Sequence, residues 1–272
     1  MLNNLQKCKT DMITTVKMTK NTVKKDGDDT CSRKTQTLLT PILFLIMLKA
    51  FITDIDGTLT DARRRISTEV IDEMRRIIDN GVPVVLASGN TLCFMDTFSH
   101  MIGTNGDIIA ENGGVYRQGF LGKKQVAGDQ KICLAAYEKI VSELQPKNGE
   151  LRLFSLKFRD SDVAFSRDYP IDVIKDILKD VPVVVIDTGF AIHLQVPGIT
   201  KGLAFEKLAN LMGFAPADFL VAGDSINDVP MLEIGGVSVV PSTASPDAKR
   251  AADHVMEKPF GEGTAEALRN YF

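Results

Sequence analysis

Asp54 and Asp56, two residues apart at the end of a short apolar run and followed at once by Gly57, are the residues with the clearest capacity for chemistry. Period-2 geometry points both carboxylates to one side, and Gly57 lets the chain turn sharply away. Two acids in one small space raise one pKa unless a cation intervenes, so the pair implies a bound metal or one protonated partner. The plain alternative is a solvated acidic turn of the Asp-Gly type. A second acidic pair, Asp224 and Asp228, lies in Gly223-Asp224-Ser225-Ile226-Asn227-Asp228 and adds hard oxygen ligands of the kind that suit magnesium. There the alternative is capping by Asp228 of a helix with Pro230 in its first turn. Ser88 and Gly89, within Leu86-Ala87-Ser88-Gly89-Asn90, could hold a phosphate oxygen by hydroxyl and backbone amides at a helix start, or Ser88 could simply cap that helix. Lys201 falls near a helix start, where the positive end of the dipole disfavours a cation. A phosphate dianion would remove that conflict, and a lysine snorkelling into water is the other reading.

The elements that must position these residues follow from the apolar pattern. Ala50 to Ile55 is apolar apart from Thr53 and Asp54, as in a strand buried on both faces of a parallel sheet. Ser67 is a plausible N-cap for a helix over 67–79, with Val70, Met74, Ile77 and Ile78 at helical spacing and Gly81 as its stop. A strand at 82–87, a helix near 91–102, a strand at 107–110 and the turn Glu111-Asn112-Gly113-Gly114 continue the alternation of a doubly wound sheet. Between about 129 and 197 the pattern changes to helix 130–145 with strands 151–158 and 162–166, then helix 170–180 with strands 183–187 and 190–196. Two helix-strand-strand units predict an antiparallel sheet covered by helices, inserted at hinges near Gly128 and Pro197-Gly198. The parallel pattern then resumes with helix 201–212, strand 219–222, helix 229–234, strand 237–240 and a closing helix near 263–271. The predicted fold is therefore α/β: a doubly wound parallel core (48–128 and 198–272) with an α+β insert (129–197). Ligands of such sheets bind beyond the carboxyl ends of the strands, where each candidate residue falls.

The chain has 272 residues, 44% hydrophobic and 25% charged, enough for a sizeable core. A net charge of -3 gives no basic field to attract nucleic acid or an anionic membrane. Cys8, Cys31, Cys93 and Cys133 form no C-x-x-C pair and have no histidines at zinc spacing, which fits a reducing, cytoplasmic setting. Residues 1–37 carry eight Lys or Arg against four Asp and no sustained apolar period, so 1–47 reads as a disordered or non-native extension. The apolar run Leu38 to Leu48 is shorter than the roughly 20 residues a membrane helix needs. It passes directly into the first strand without a clear cleavage site, which argues against a secretory leader and for Met47 as the start.

Asp54-Ile55-Asp56-Gly57-Thr58, Ser88, Lys201 and Gly223 through Asp228 come from four separate loops in that order. In this the chain resembles the haloacid dehalogenase superfamily over residues 48–272. The insert and the Glu111-Asn112-Gly113-Gly114 turn look like its Cof-like branch. The insert's compactness, with Leu86-Ala87-Ser88-Gly89-Asn90 in place of a Thr-Gly-Arg sequence, is most similar to archaeal-type phosphoglycolate phosphatases. The resemblance implies a phosphatase with Asp54 as nucleophile and Asp56 as general acid and base. It implies Mg2+ held by the Asp54 carboxylate, the Asp56 main-chain carbonyl, Asp224 and Asp228, with Ser88, Gly89 and Lys201 on the phosphate. The implied substrate is a small phosphate monoester, 2-phosphoglycolate, with a sugar phosphate or sugar phosphoglycerate as the rival. His193, Arg159 and Arg167 are candidates for the glycolate carboxylate. Neither nucleic acid nor membrane is an expected partner, and a homodimer is left open. A phosphate-binding regulatory module without turnover would be marked by loss of a carboxylate at 54, 56, 224 or 228, and all are present.

Overall fold

The computed structural model describes residues 48–272; the expectations for residues 1–47, including Cys8 and Cys31, lie outside the described residues. Along the chain come β1 (Ala50–Thr53), α1 (Thr68–Asp79), β2 (Val84–Ala87), α2 (Leu92–Ile102), β3 (Asp107–Ala110), β4 (Val115–Arg117) and β5 (Gln125–Val126). Then follow α3 (Gln130–Leu144), β6 (Val163–Phe165), α4 (Ile171–Ile177), β7 (Val184–Asp187) and β8 (Ile192–Gln195). The chain closes with α5 (Lys201–Leu211), β9 (Phe219–Ala222), α6 (Val229–Leu232), β10 (Val237–Val240), α7 (Pro246–Ala251), β11 (His254–Val255) and α8 (Phe260–Tyr271).

Eight strands form one sheet in the order β11-β10-β9-β1-β2-β3-β4-β5, parallel from β11 to β3 and antiparallel at the β4 and β5 edge. Successive side chains leave a strand on opposite faces, and the core divides accordingly. Phe51, Val84, Leu86, Leu220 and Ala222 pack with Val70, Met74 and Ile77 of α1 and with Ala265 and Leu268 of α8. Ala50, Ile52, Val85, Ala87, Phe219 and Val221 pack on the other face with Phe205 and Leu208 of α5. The continuous apolar runs of β1, β2 and β9 are thus those of strands covered on both sides. Ser67 does occupy the N-cap of α1, but its side chain makes no capping bond.

A second sheet, β6-β8-β7, is antiparallel throughout and has its own core of Cys133, Ile140, Phe165, Ile174, Ile192 and Leu194. The strand expected over 151–158 is absent. Leu151 (φ 51) and Ser155 (φ 54) are left-handed, which no strand tolerates, and only Leu153 bridges to Phe165 before a 3-10 turn over Leu156–Phe158. Cys133 of α3 is fully buried, and burial, then Asp162 and Asp129, push its thiol up to about 12. Iodoacetamide at about pH 8 should therefore label the exposed Cys93 and spare Cys133, because only a thiolate reacts. Peptide mass mapping of the folded protein checks this, and ready labelling of Cys133 would contradict its burial.

Candidate active site

β9, β1 and β2 are neighbours in the larger sheet, so the loops that leave their carboxyl ends meet. Asp54 directly follows β1, and its backbone N–H donates to the Ala222 carbonyl of β9 at 3.0 Å, extending the ladder by one residue. Its carboxylate is buried and accepts from Lys201 Nζ at 2.5 Å. The same ammonium donates to Asp228 Oδ1 at 2.6 Å, and at 1% exposure Lys201 is no surface lysine. It is the first residue of α5, behind an N-cap at Thr200 whose hydroxyl accepts from Leu203 N–H. The conflict between a cation and the helix dipole is thus relieved by two carboxylates of the protein itself, and needs no phosphate to relieve it.

Asp224 completes the acidic group, since one carboxylate oxygen each from Asp54, Asp224 and Asp228 lie within 4.8 Å of one another. Burial raises the Asp54 pKa well above the ordinary carboxylate value; Lys201 opposes this, and Asp228 and Asp224 add to it. Burial, and then Asp228, push Asp224 up to about 7. For Lys201 burial works against the charge, but the two carboxylates outweigh it and raise the pKa. Three acids against one ammonium leave an excess of negative charge and a set of hard oxygen donors, which fits a divalent cation of the magnesium or calcium type. Asp228 is heavily engaged: besides Lys201 on Oδ1, its Oδ2 accepts from the N–H groups of Asp224 and Ser225, each at 3.0 Å, and from the Ser225 hydroxyl. It organises the loop; it makes no side-chain cap on α6. Asp224 is freer, accepting only a long bond from the Thr58 hydroxyl at 3.4 Å.

Asp56 takes partners of its own. β1 ends at Thr53, so alternation no longer governs where the second side chain goes. Its Oδ1 accepts from Arg64 Nε and Nη2 at 3.0 and 2.8 Å, and its Oδ2 from Asn90 Nδ2 at 3.0 Å. The turn that follows Asp56 needs Gly57: its φ is +89°, and a Cβ there would lie 2.4 Å from Asp224 Oδ2. Asn90 also donates Nδ2 to Ser88 Oγ at 2.9 Å, so the Ser88-Gly89-Asn90 loop and the Asp56 loop are tied together. Ser88 is buried but is not a helix cap, because Thr91 takes the N-cap of α2.

The Glu111–Gly114 turn holds residues whose roles the sequence left unassigned. Asn112 is left-handed (φ 53); its N–H donates to Ser88 O, and its Oδ1 accepts from Asn227 Nδ2 at 3.1 Å, which links the β2 and β9 loops. Its Nδ2 is buried without a hydrogen-bond partner and is packed beside Gly89, where a Cβ would come within 3.0 Å of it. Glu111 is fully buried and accepts from the N–H groups of Asp160 and Ser161 and from the Ser161 hydroxyl, so it grips the segment that leads into β6. From the same segment Arg159 donates to Gly89 O at 3.2 Å and to Asp162 Oδ1 at 2.7 Å, while His193 Nδ1 meets Asp162 Oδ2 at 2.8 Å. Arg167 is paired with Asp187. The cations expected for a substrate carboxylate are therefore committed elsewhere. A run as unusual as Glu-Asn-Gly-Gly was the one sequence signal for this joint.

A parallel sheet whose adjacent strand ends gather an aspartate, a buried lysine and an acidic loop defines a hydrolase of the haloacid dehalogenase type. The chain belongs to the haloacid dehalogenase-like hydrolase family, whose model matches residues 51–168 and 163–268. It is 47% identical to a Methanoculleus marisnigri protein named phosphoglycolate phosphatase, over 83% of this chain and 97% of that one. A protein of the same name from Methanothermobacter thermautotrophicus is 38% identical over 82% and 99%. Among solved structures, that of Thermoplasma acidophilum 0175 matches with a TM-score of 0.75 and 25% identity, covering 83% of this chain and 98% of that one. A haloacid dehalogenase-like hydrolase from Bacteroides thetaiotaomicron matches with a TM-score of 0.69 and 20% identity over 82% and 99%.

Proposed function

We propose that the chain hydrolyses 2-phosphoglycolate to glycolate and phosphate, with Asp54 as nucleophile, and that residues 129–197 cap the site formed by 48–128 and 198–272. The observation that carries the reading is the clasp of Lys201 by Asp54 and Asp228, with Asp224 alongside. The names of the archaeal relatives support the choice of substrate.

In this reading Lys201 holds Asp54 Oδ1 and so fixes the rotamer of the attacking carboxylate, which displaces the leaving oxygen in line and forms an aspartyl-phosphate. Asp56, held from both sides by Arg64 and Asn90, protonates the departing alkoxide and then takes the proton of the attacking water. Ser88, the Gly89 backbone, Lys201 and the spare Asn112 Nδ2 supply donors to the remaining phosphate oxygens. The Asp54 carboxylate, the Asp56 carbonyl, Asp224 and Asp228 would hold Mg2+, which would supply neutralisation of the developing negative charge. Among the described residues no helix is long and apolar enough to cross a membrane. The free thiols of Cys93 and Cys133 support a cytoplasmic setting.

A panel of phosphate monoesters at equal concentration, with Mg2+ and with EDTA, tests the proposal. Phosphoglycolate should show the highest kcat/KM, and EDTA should remove turnover until Mg2+ is restored. A sugar phosphate favoured about tenfold, which is roughly 1.4 kcal/mol in the barrier, would remove phosphoglycolate as the substrate. Absence of any hydrolysis would remove the enzyme.

A further inference from the structure

The glycolate carboxylate still needs a cationic partner, and Arg159, Arg167 and His193 are bound up with Asp162, Asp187 and the Gly89 carbonyl. Arg64 is placed differently. It lies in the tight loop closed by the Thr60 to Ile66 bridge, where Asp61 takes the backbone N–H groups of Arg63 and Arg65 and the Arg65 guanidinium. Arg64 itself is left-handed, with φ 62, a conformation that glycine or asparagine adopts at less cost. Its guanidinium donates twice to Asp56 Oδ1, at 3.0 and 2.8 Å, and sits 4.3 Å over the ring of Phe190 in the turn between β7 and β8. Phe190 is 47% exposed, so this stack stands at an open edge between the two sheets.

We propose that Arg64 is a specificity-determining residue that binds the carboxylate of the leaving group. The inference rests on the reading of Asp56 as the acid beside the leaving oxygen. One hydrogen bond separates Asp56 from that oxygen and another separates Asp56 from Arg64, each roughly 2.8 Å. A two-carbon acid places its carboxylate within that span. The guanidinium uses Nε and one Nη2 hydrogen on Asp56, so Nη1 and the second Nη2 hydrogen are left to meet a carboxylate as a fork. Phe190 packs against the guanidinium, whose carbon lies 4.3 Å from the ring centroid. A sugar or other neutral leaving group offers no charge to this fork, so Arg64 discriminates against it.

The test compares phosphoglycolate, whose leaving group is charged, with 2-hydroxyethyl phosphate, whose leaving group is neutral, in the wild type, Arg64→Gly and Arg64→Lys. Glycine suits the left-handed backbone, so Arg64→Gly should still fold cooperatively, which a thermal melt checks. The ratio of kcat/KM for the charged over the neutral ester should fall roughly 10- to 100-fold in Arg64→Gly, chiefly through KM. Arg64→Lys should keep part of it. A ratio held within about threefold in Arg64→Gly, or a parallel loss on both esters, would overturn the role of Arg64 while leaving the phosphatase intact. A wild type without preference for the charged ester would overturn phosphoglycolate as substrate, and with it this inference.

Discussion

Asp54→Asn should lose at least about 10⁴-fold in turnover of every phosphate monoester, because an amide oxygen neither attacks phosphorus nor carries the covalent intermediate. The fold should not suffer. Burial, Asp228 and Asp224 all disfavour the charged form of Asp54, and Asn keeps an oxygen in reach of Lys201 Nζ. A carboxylate whose pKa is raised in the folded state binds more protons there than in the unfolded chain. Its ionisation therefore costs stability above the unfolded value of 3.8, and Asn removes that cost. Urea denaturation in EDTA at about pH 8 should show a variant no less stable than the wild type. Full retained activity would sink the mechanism, and a large loss of stability would sink the electrostatic account. Asp56→Asn should be milder on aryl esters than on alkyl esters, since a phenolate leaves without a proton.

Lys201→Met should be the most destabilising change in the site. It leaves Asp54 and Asp228 buried at 5% and 0% exposure without their shared cation, a loss of about 3–5 kcal/mol for a broken buried pair. The pH dependence has a definite sign. In the wild type, Lys201 has a raised pKa, so its contribution is complete below the unfolded value of 10.5 and is lost only above it, as pH rises through the folded pKa. Between about pH 5 and pH 8 the lysine term is therefore flat. In the variant Asp54 loses the cation that opposes its raised pKa and holds its proton to higher pH, so stability should fall as pH rises through that range. Paired urea melts in EDTA at the two ends would show it, and an equal deficit at both would contradict the proposed pairing. Turnover should drop by about 10²- to 10³-fold with the loss of a donor to the phosphate.

The residues of the centre were legible because they sit where a parallel sheet must put them. Asp54, Ser88 and Asp224 follow β1, β2 and β9, which are neighbours in the sheet, and continuous apolar runs marked all three strands. What escaped was set by contacts distant in sequence. Glu111 meets Asp160 and Ser161 about 50 residues on, and no local pattern encodes that. The partners of Asp56, Arg64 and Asn90, lie 8 and 34 residues on, beyond the reach of a period-2 reading that in any case ends with the strand at Thr53. The segment 151–158 has strand-like composition, yet its left-handed Leu151 and Ser155 are settled by partners, with Asp168 taking the Leu151 N–H. The short strands β4, β5 and β11 carry too few residues to show a period.

Side chains that grip main-chain atoms make much of the joint between the smaller sheet and the loops beneath it. Glu111 holds the amides of residues 160 and 161, Arg159 reaches the carbonyl of Gly89, and Gln195 donates to the carbonyl of Glu111. Every amino acid presents the same carbonyl, and every one but proline the same amide. The outward turns of the insert can therefore drift or be redesigned freely while the seat stays the same. One phosphoryl-transfer engine can in this way be refitted for a new ester by changing a turn such as the one that bears Phe190.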